Sequence, residues 1–168
     1  MFLIALYLLA IVLANVSVAM FGPGVTIVNA FVFIALDLST RDRLHEQWEG
    51  RNLWRNMLFL IAGGSILSAL VNWNALPIAL ASFGAFLTAG VVDAVVYHLL
   101  GKRSRLVKMN GSNLFSAAVD SIVFPALAFG FPLMWGIVIG QFVAKVIGGA
   151  VWSYVLTLRA ENVAEWPA

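Results

Sequence analysis

The amino-acid sequence predicts an all-α, polytopic membrane protein with six transmembrane helices and with both termini in the cytoplasm. Apolar residues make up 62% of the chain and charged residues only 11%, whereas soluble domains have about 45–50% and about 25%. The apolar residues also form runs of the length that a helix needs to cross a bilayer, about 20 residues. We therefore expect one transmembrane domain over residues 1–168, in the plasma or inner membrane of the cell.

Six apolar runs follow one another along the chain, separated by turns and by two charged loops. The turns contain Gly, Pro or Asn, which favour tight turns. The charged loops cover Arg41–Arg55 and Gly101–Gly111. The expected spans are Phe2–Met20, Val25–Thr40, Leu53–Val71, Leu76–Leu100, Ser112–Phe129 and Leu133–Leu158.

Basic residues decide the expected orientation of these spans. Four arginines lie in the first charged loop, four Lys or Arg residues lie in the second, and Arg159 follows the last span. The turns after the first, third and fifth spans contain no Lys or Arg. Because short cytoplasmic loops are enriched in Lys and Arg, both charged loops and both termini are expected to be cytoplasmic.

The first charged loop and two aspartates near the charged loops have more than one interpretation. Leu44, Trp48 and Leu53 suit an amphipathic helix on the membrane surface. Asp37 and Asp93 each precede a charged loop. Each is either a solvated carboxylate near basic residues or part of a binding site.

The stretch Ser112–Pro125 carries the polar pattern that predicts a site. A carboxylate inside a membrane is costly and is often functional. We therefore expect Asp120 to face an internal polar cavity and to contact a substrate. The alternative is a helix bent at Pro125 that packs around one buried, satisfied Asp. The residues that share the Asp120 face of the helix, at spacings of three or four, are Asn113, Ser116 and Phe124.

Polar residues in the first, second and sixth spans are the other candidates. Gln141 and Lys145 share one face of the sixth span. Lys145 is expected to be the counter-ion of Asp120, because a Lys stem covers the difference in depth of roughly 6 Å. Asn15 and Asn29 lie at similar depth on either side of the first turn. They are expected to approach each other, and either bond to one another or offer their amides to a ligand.

The sequence carries no motif of an enzymatic or ATP-driven site. The P-loop, HExxH and GxSxG patterns are absent, and His45 and His98 are far apart. Cys is also absent, which excludes thiolate nucleophiles and cysteine metal sites. We therefore predict a protein that is not an enzyme and that binds no cofactor or metal.

Several of these features together resemble a known family along nearly the whole chain. They include Asn15, the turn Gly22–Gly24, and Asp37 ahead of a basic loop. The sharpest are SNLFSAAVDSIVF over residues 112–124 and QFVAKVIGGAVW over residues 141–152. In these features the chain resembles the putative vitamin uptake transporter family, also described as queuosine precursor transporters. The resemblance implies uptake of 7-deazaguanine bases, such as 7-cyano-7-deazaguanine or its aminomethyl form, for tRNA modification.

A flat, guanine-like base is the substrate that the resemblance implies. Such a base presents N1–H and an exocyclic amine, both of which one carboxylate accepts. An amide or hydroxyl serves the O6 side, and an aromatic ring stacks on the base. The expected partners are the lipid bilayer and this small deazapurine, with no nucleic acid, and a homodimer is left open. The candidate substrate-binding residues are Asp120, Ser116, Asn113, Lys145, Gln141, Asn15, Asn29 and Phe124.

Two other classes of protein remain open from the sequence. One is a substrate-capture subunit of an ATP-driven vitamin or small-molecule uptake system, which would bind but not transport when isolated. The other is a structural membrane-assembly protein. It would keep its function when Asp120 and Lys145 are both replaced by apolar residues.

Overall fold

The computed structural model describes residues 2–48, 52–101, 103 and 105–164. Six helices in these parts of the chain are long and apolar enough to cross a membrane, which confirms the predicted all-α membrane fold. The helices are α1 (Phe2–Phe21); α2, which runs through Thr26–Asn29, a π-helical turn Ala30–Ile34 and Ala35–Trp48; α3 (Leu53–Val71); α4 (Leu76–Leu99); α5 (Arg105–Phe129); and α6 (Trp135–Ala164).

Three tight turns join the helices in pairs at the positions that the sequence predicts. Gly22, between α1 and α2, has a φ of 74°, and Gly130, between α5 and α6, has a φ of 77°. Glycine adopts such positive φ angles without the clash that a Cβ causes. Between α3 and α4, the Asn72 side chain accepts a hydrogen bond from the backbone N–H of Asn74 at 3.0 Å. These local features reverse the chain within each helical hairpin.

The first charged loop is shorter than predicted because α2 extends into it. The helix continues to Trp48, since the sequence between Thr26 and Trp48 contains no Gly or Pro. Leu44 is 2% exposed and packs in a core with Tyr7 and Ile11 of α1. The prediction of a membrane-surface helix around Leu44 is therefore wrong, because this side chain faces the bundle.

The second charged loop is also shorter than predicted, since α5 begins at Arg105 rather than at Ser112. Gly111 lies inside the helix instead of ending a loop. A Cβ on Gly111 would lie 2.9 Å from Cδ1 of Leu100. The glycine therefore allows α5 to pass close to the end of α4.

The six helices form a closed bundle in which every helix contacts at least two others. Around the bundle the order is α1, α3, α4, α5, α6 and α2, and α2 closes the ring on α1. Large apolar side chains cover the outside, among them Leu70, Leu99 and Trp135. Because polar groups are costly in hydrocarbon, the bundle interior is where the polar residues of the spans are expected.

The contact between α6 and α2 is close because Gly148 faces the π-helical turn of α2. A Cβ on Gly148 would lie 2.6 Å from the carbonyl oxygen of Phe31 and 2.6 Å from the Cβ of Ala35. Both distances are well inside van der Waals contact, and a backbone atom cannot move aside as a side chain can. The fit of α6 against α2 therefore requires glycine. This close packing of α6 on α2 also sets the position of Lys145, which lies one turn earlier on α6.

Gly148→Ala is expected to destabilise the protein, because the added methyl group overlaps the backbone of α2. Overpacking of this kind costs about 1–3 kcal/mol. The matched control is Gly149→Ala, since a Cβ on Gly149 meets nothing within 4 Å. Thermal unfolding of the detergent-solubilised variants measures the difference. Equal melting temperatures for the two variants would contradict this packing.

The predicted orientation can be tested with single cysteines, because the natural chain contains none. Asn74→Cys lies in an exposed turn and is expected to react with a membrane-impermeant maleimide in intact cells. Arg103→Cys, in the second charged loop, is expected to react only after permeabilisation, since the positive-inside rule places this loop in the cytoplasm. The opposite labelling pattern would overturn the orientation.

Candidate functional site

A buried ion pair joins α5 and α6 inside the bundle. The Nζ atom of Lys145 lies 2.6 Å from Oδ2 of Asp120, and the two side chains are 1% and 8% exposed. The predicted counter-ion is thereby confirmed. Removing such charges from water costs several kcal/mol per ion, so the pair is stable only with good geometry and additional hydrogen bonds.

Lys145 makes three hydrogen bonds, which occupy all of its donors. Its Nζ atom donates to Oδ2 of Asp120 at 2.6 Å, to Oγ of Ser121 at 2.9 Å and to Oε1 of Gln141 at 3.3 Å. An ammonium group has three N–H donors and no acceptor. The Ser121 hydroxyl is free to accept, because it donates to the Ala117 carbonyl at 2.7 Å. In this conformation Lys145 therefore orients its neighbours rather than offering a donor to a ligand.

Two polar atoms beside the ion pair have no hydrogen-bond partner among the described residues. They are Oδ1 of Asp120 and Nε2 of Gln141, and both are buried. Lys145 fixes the orientation of the Gln141 amide, because an ammonium group only donates and must face Oε1. An unpaired buried polar atom costs about 1–3 kcal/mol. A ligand that donates to Asp120 and accepts from Gln141 would remove that cost.

A small cavity lies next to the ion pair. Its volume is about 20 Å³, which is enough for about one water molecule. Typical ligand sites have volumes of about 300–1,000 Å³. This conformation is therefore closed, and a ligand the size of a purine can enter only when the helices move apart.

Six of the eight predicted site residues line this cavity. Ser116 and Asn113 do not, although they lie on the same face of α5 as Asp120. Ser116 is wholly buried, and its hydroxyl oxygen has no partner among the described residues. Asn113 is half-buried. The predicted residues that line the cavity are Asn15, Asn29, Asp120, Phe124, Gln141 and Lys145.

The two asparagines of the first hairpin reach the same cavity but do not bond to each other. Asn15 donates from Nδ2 to Oγ of Ser68 on α3 at 3.0 Å. Asn29 donates from Nδ2 to the Ala14 carbonyl at 3.1 Å and to Oγ of Ser17 at 2.7 Å. Both side chains therefore line one cavity, and each makes its hydrogen bonds to other residues. Their hydrogen bonds hold α1 against α3 and α2.

Sequence reasoning missed the cavity residues of α4 and the first turn of α2. Ser82 and Phe86 line the cavity and are four residues apart, so the spacing rule applied to α5 would have found them. Thr26 also lines the cavity, and its hydroxyl donates to the Pro23 carbonyl at 2.7 Å. No spacing rule finds Thr26, because it lies directly after a turn.

The interpretation of Asp37 as a solvated carboxylate is wrong. Asp37 is 0% exposed, because α2 continues well past it instead of ending there. Tyr7 of α1, which is also wholly buried, lies within electrostatic reach of Asp37 and of Arg41. Asp93 is half-buried, and its Oδ1 has no partner among the described residues. Neither aspartate lines the cavity.

Comparison with known proteins identifies a family. A family model described as putative vitamin uptake transporter matches residues 2–158. A search of curated proteins and a search of solved structures found no match. The matched region includes all six spans and every residue that lines the cavity.

Lys145→Met is expected to destabilise the protein by about 3–5 kcal/mol, because it leaves Asp120 buried without a counter-ion. The double variant Asp120→Asn/Lys145→Met is expected to recover most of that loss, since no unpaired charge remains. Thermal unfolding of the solubilised variants gives both values. A double variant no more stable than Lys145→Met would show that the two side chains are not energetically coupled.

Proposed function

Because the chain belongs to the putative vitamin uptake transporter family, we propose that it imports 7-deazaguanine bases, such as 7-cyano-7-deazaguanine or its aminomethyl form, across the plasma membrane. The observation that carries the proposal is the pair of unpartnered atoms beside the cavity, Oδ1 of Asp120 and Nε2 of Gln141. One atom accepts, the other donates, and Lys145 orients both side chains.

A guanine-like base presents the complementary pattern on one edge. Its N1–H and exocyclic amine donate, and its O6 accepts beside N1–H. In the proposed complex Asp120 accepts from the N–H groups and Gln141 donates to O6. Hydrogen bonds to a carboxylate are stronger than neutral ones, so Asp120 supplies most of the polar recognition.

Phe124 supplies the apolar part of the proposed complex. Its ring lines the cavity and packs edge-to-face against Phe129, with ring centroids 6.0 Å apart and an angle of 82° between the planes. This contact restrains the ring. Stacking of a flat base on an aromatic ring adds modest but orientation-dependent stabilisation.

Transport requires a conformation in which the cavity is larger than it is here. Residues of five helices line the cavity, whose volume is about 20 Å³, so the helices must separate on one side of the membrane to admit the base and on the other to release it. The polar groups inside the bundle stay satisfied only if a ligand or water replaces the contacts that opening breaks.

Asp120→Asn is expected to abolish uptake of radiolabelled 7-cyano-7-deazaguanine by proteoliposomes, because the amide lacks the charge that strengthens hydrogen bonds from the base. The matched control is Asp93→Asn, which changes a partly buried carboxylate away from the cavity and is expected to retain uptake. Equal amounts of folded protein in the membranes are required for both variants.

Three outcomes would contradict the proposal. Normal uptake by Asp120→Asn would remove the residue from the site. Restored uptake in Asp120→Asn/Lys145→Met would show that the ion pair is only structural. Binding of the base without uptake by the reconstituted wild type would instead favour the substrate-capture subunit of an ATP-driven system.

A further inference from the structure

Ser68 of α3 determines which atom of the Asn15 amide faces the cavity. Ser68 is wholly buried, and its hydroxyl donates to the Gly64 carbonyl at 2.7 Å. A hydroxyl carries one hydrogen, so Ser68 can only accept from Asn15. The amide nitrogen must therefore face Ser68, and the amide oxygen is left for the cavity. A flipped amide would place two acceptors against each other.

Other groups orient the Asn29 amide in the same way, with its nitrogen bonded to the protein and its oxygen left without a donor. Its Nδ2 faces the carbonyl of Ala14, which can only accept. It also faces the Ser17 hydroxyl, whose own hydrogen is directed at the Ala14 carbonyl at 3.0 Å. Both N–H groups of Asn29 are thus engaged. Among the described residues, none donates a hydrogen bond to the amide oxygen of Asn29 or to that of Asn15.

The cavity is consequently rich in acceptors. Oxygen atoms of Asn15, Asn29 and Asp120 are available to a ligand, one each from α1, α2 and α5. The donors that remain are Nε2 of Gln141 on α6, the second N–H of Asn15 and the hydroxyl of Ser82, which also lines the cavity. Lys145 already uses its three N–H groups. An anionic ligand would be repelled by the unpartnered carboxylate oxygen of Asp120 and by the two amide oxygens, whereas a ligand with several N–H groups would pair with all three.

We infer that Ser68 is a positioning residue for substrate selection: it holds the Asn15 oxygen toward the cavity, and the cavity thereby selects uncharged or cationic heterocycles that carry N–H donors on more than one edge. This inference rests on the proposed function and sharpens it. A free deazaguanine has N1–H and an amine on one edge and a pyrrole N–H on another. Three separated acceptors match that distribution, while a carboxylate vitamin does not.

Ser68 acts through Asn15 and does not line the cavity itself. None of the residues that line the cavity comes from α3. When the Ser68 hydroxyl is removed, the Asn15 amide loses the one side-chain hydrogen bond that it makes to the described residues. Ser17 has less influence on the orientation of the Asn29 amide, because the Ala14 carbonyl still accepts from the Asn29 nitrogen when the Ser17 hydroxyl is removed.

The test compares the affinities of the purified, reconstituted protein for 7-deazaguanine and for its furo analogue, in which an oxygen replaces the pyrrole N–H. Asp120 already accepts from N1–H and the amine in the proposed complex, so the pyrrole N–H is the donor left for the Asn15 oxygen. Wild type is expected to prefer 7-deazaguanine. In Ser68→Ala this preference is expected to fall by about threefold to tenfold, the worth of one hydrogen bond. Ser17→Ala is expected to change it less. Ser68→Thr keeps the hydroxyl and is expected to retain the wild-type ratio.

The matched control is Thr88→Val, because Thr88 makes the same kind of bond, to the Gly84 carbonyl at 2.8 Å, on an exposed position of α4. It is expected to leave the preference unchanged. Equal loss of affinity for both bases in Ser68→Ala would assign Ser68 a purely structural role and overturn the inference. Ser68→Cys, with a weaker acceptor of similar size, gives the same comparison if the alanine variant does not fold.

A measurement without ligand separates this inference from the proposed function. In protein labelled with ¹⁵N-asparagine, the side-chain amide signals of Asn15 are expected to shift and to exchange faster in Ser68→Ala, while those of Asn29 stay in place. Unchanged Asn15 signals would overturn the inference. If wild type binds neither base but the Asn15 signals respond, the proposed substrate fails and the amide orientation stands.

Discussion

The ion pair between Asp120 and Lys145 is the interaction on which the rest of the site depends. A carboxylate and an ammonium group inside a membrane must be close, and every remaining donor must find an acceptor. Lys145 meets this condition with Asp120, Ser121 and Gln141. These three bonds leave Oδ1 of Asp120 and Nε2 of Gln141 without a partner among the described residues. The ion pair is neutral overall, yet one acceptor and one donor remain for a ligand beside it.

The packing of α6 is what makes that geometry attainable. Gly148 allows α6 to lie against the π-helical turn of α2, and Lys145 is one helical turn away on the same helix. The π turn also separates Asn29, at the cavity, from Asp37, in the buried cluster near Tyr7. Turns of this type often occur at functional sites, where the local change in helix pitch redirects side chains. Here the turn lies between two buried polar centres of one helix.

The hydroxyl groups of the bundle have a role beyond packing. Ser68 and Ser121 each donate to a backbone carbonyl of their own helix, which leaves their oxygens to accept from Asn15 and from Lys145. Each such oxygen then dictates which way a neighbouring amide or ammonium must point. The direction of hydrogen bonding at the cavity is therefore set by residues that have no contact with a ligand, and a closed cavity of about 20 Å³ keeps that arrangement until the helices part.

The sequence by itself determined the six spans and the turns, because hydrophobic length and turn residues are local features of the chain. It also determined the pairing of Lys145 with Asp120, because a tight turn makes their two helices neighbours and helical spacing gives the depth of each residue. It also identified six residues that line the cavity. Only the tertiary structure decided that Asp37 is buried, that α2 and α5 extend into the charged loops, and that Lys145 has no donor left. It alone brought Ser68 to Asn15, which lies 53 residues away in the chain. Such contacts depend on which faces of distant helices meet, and helical periodicity defines the faces of one helix without specifying their partners.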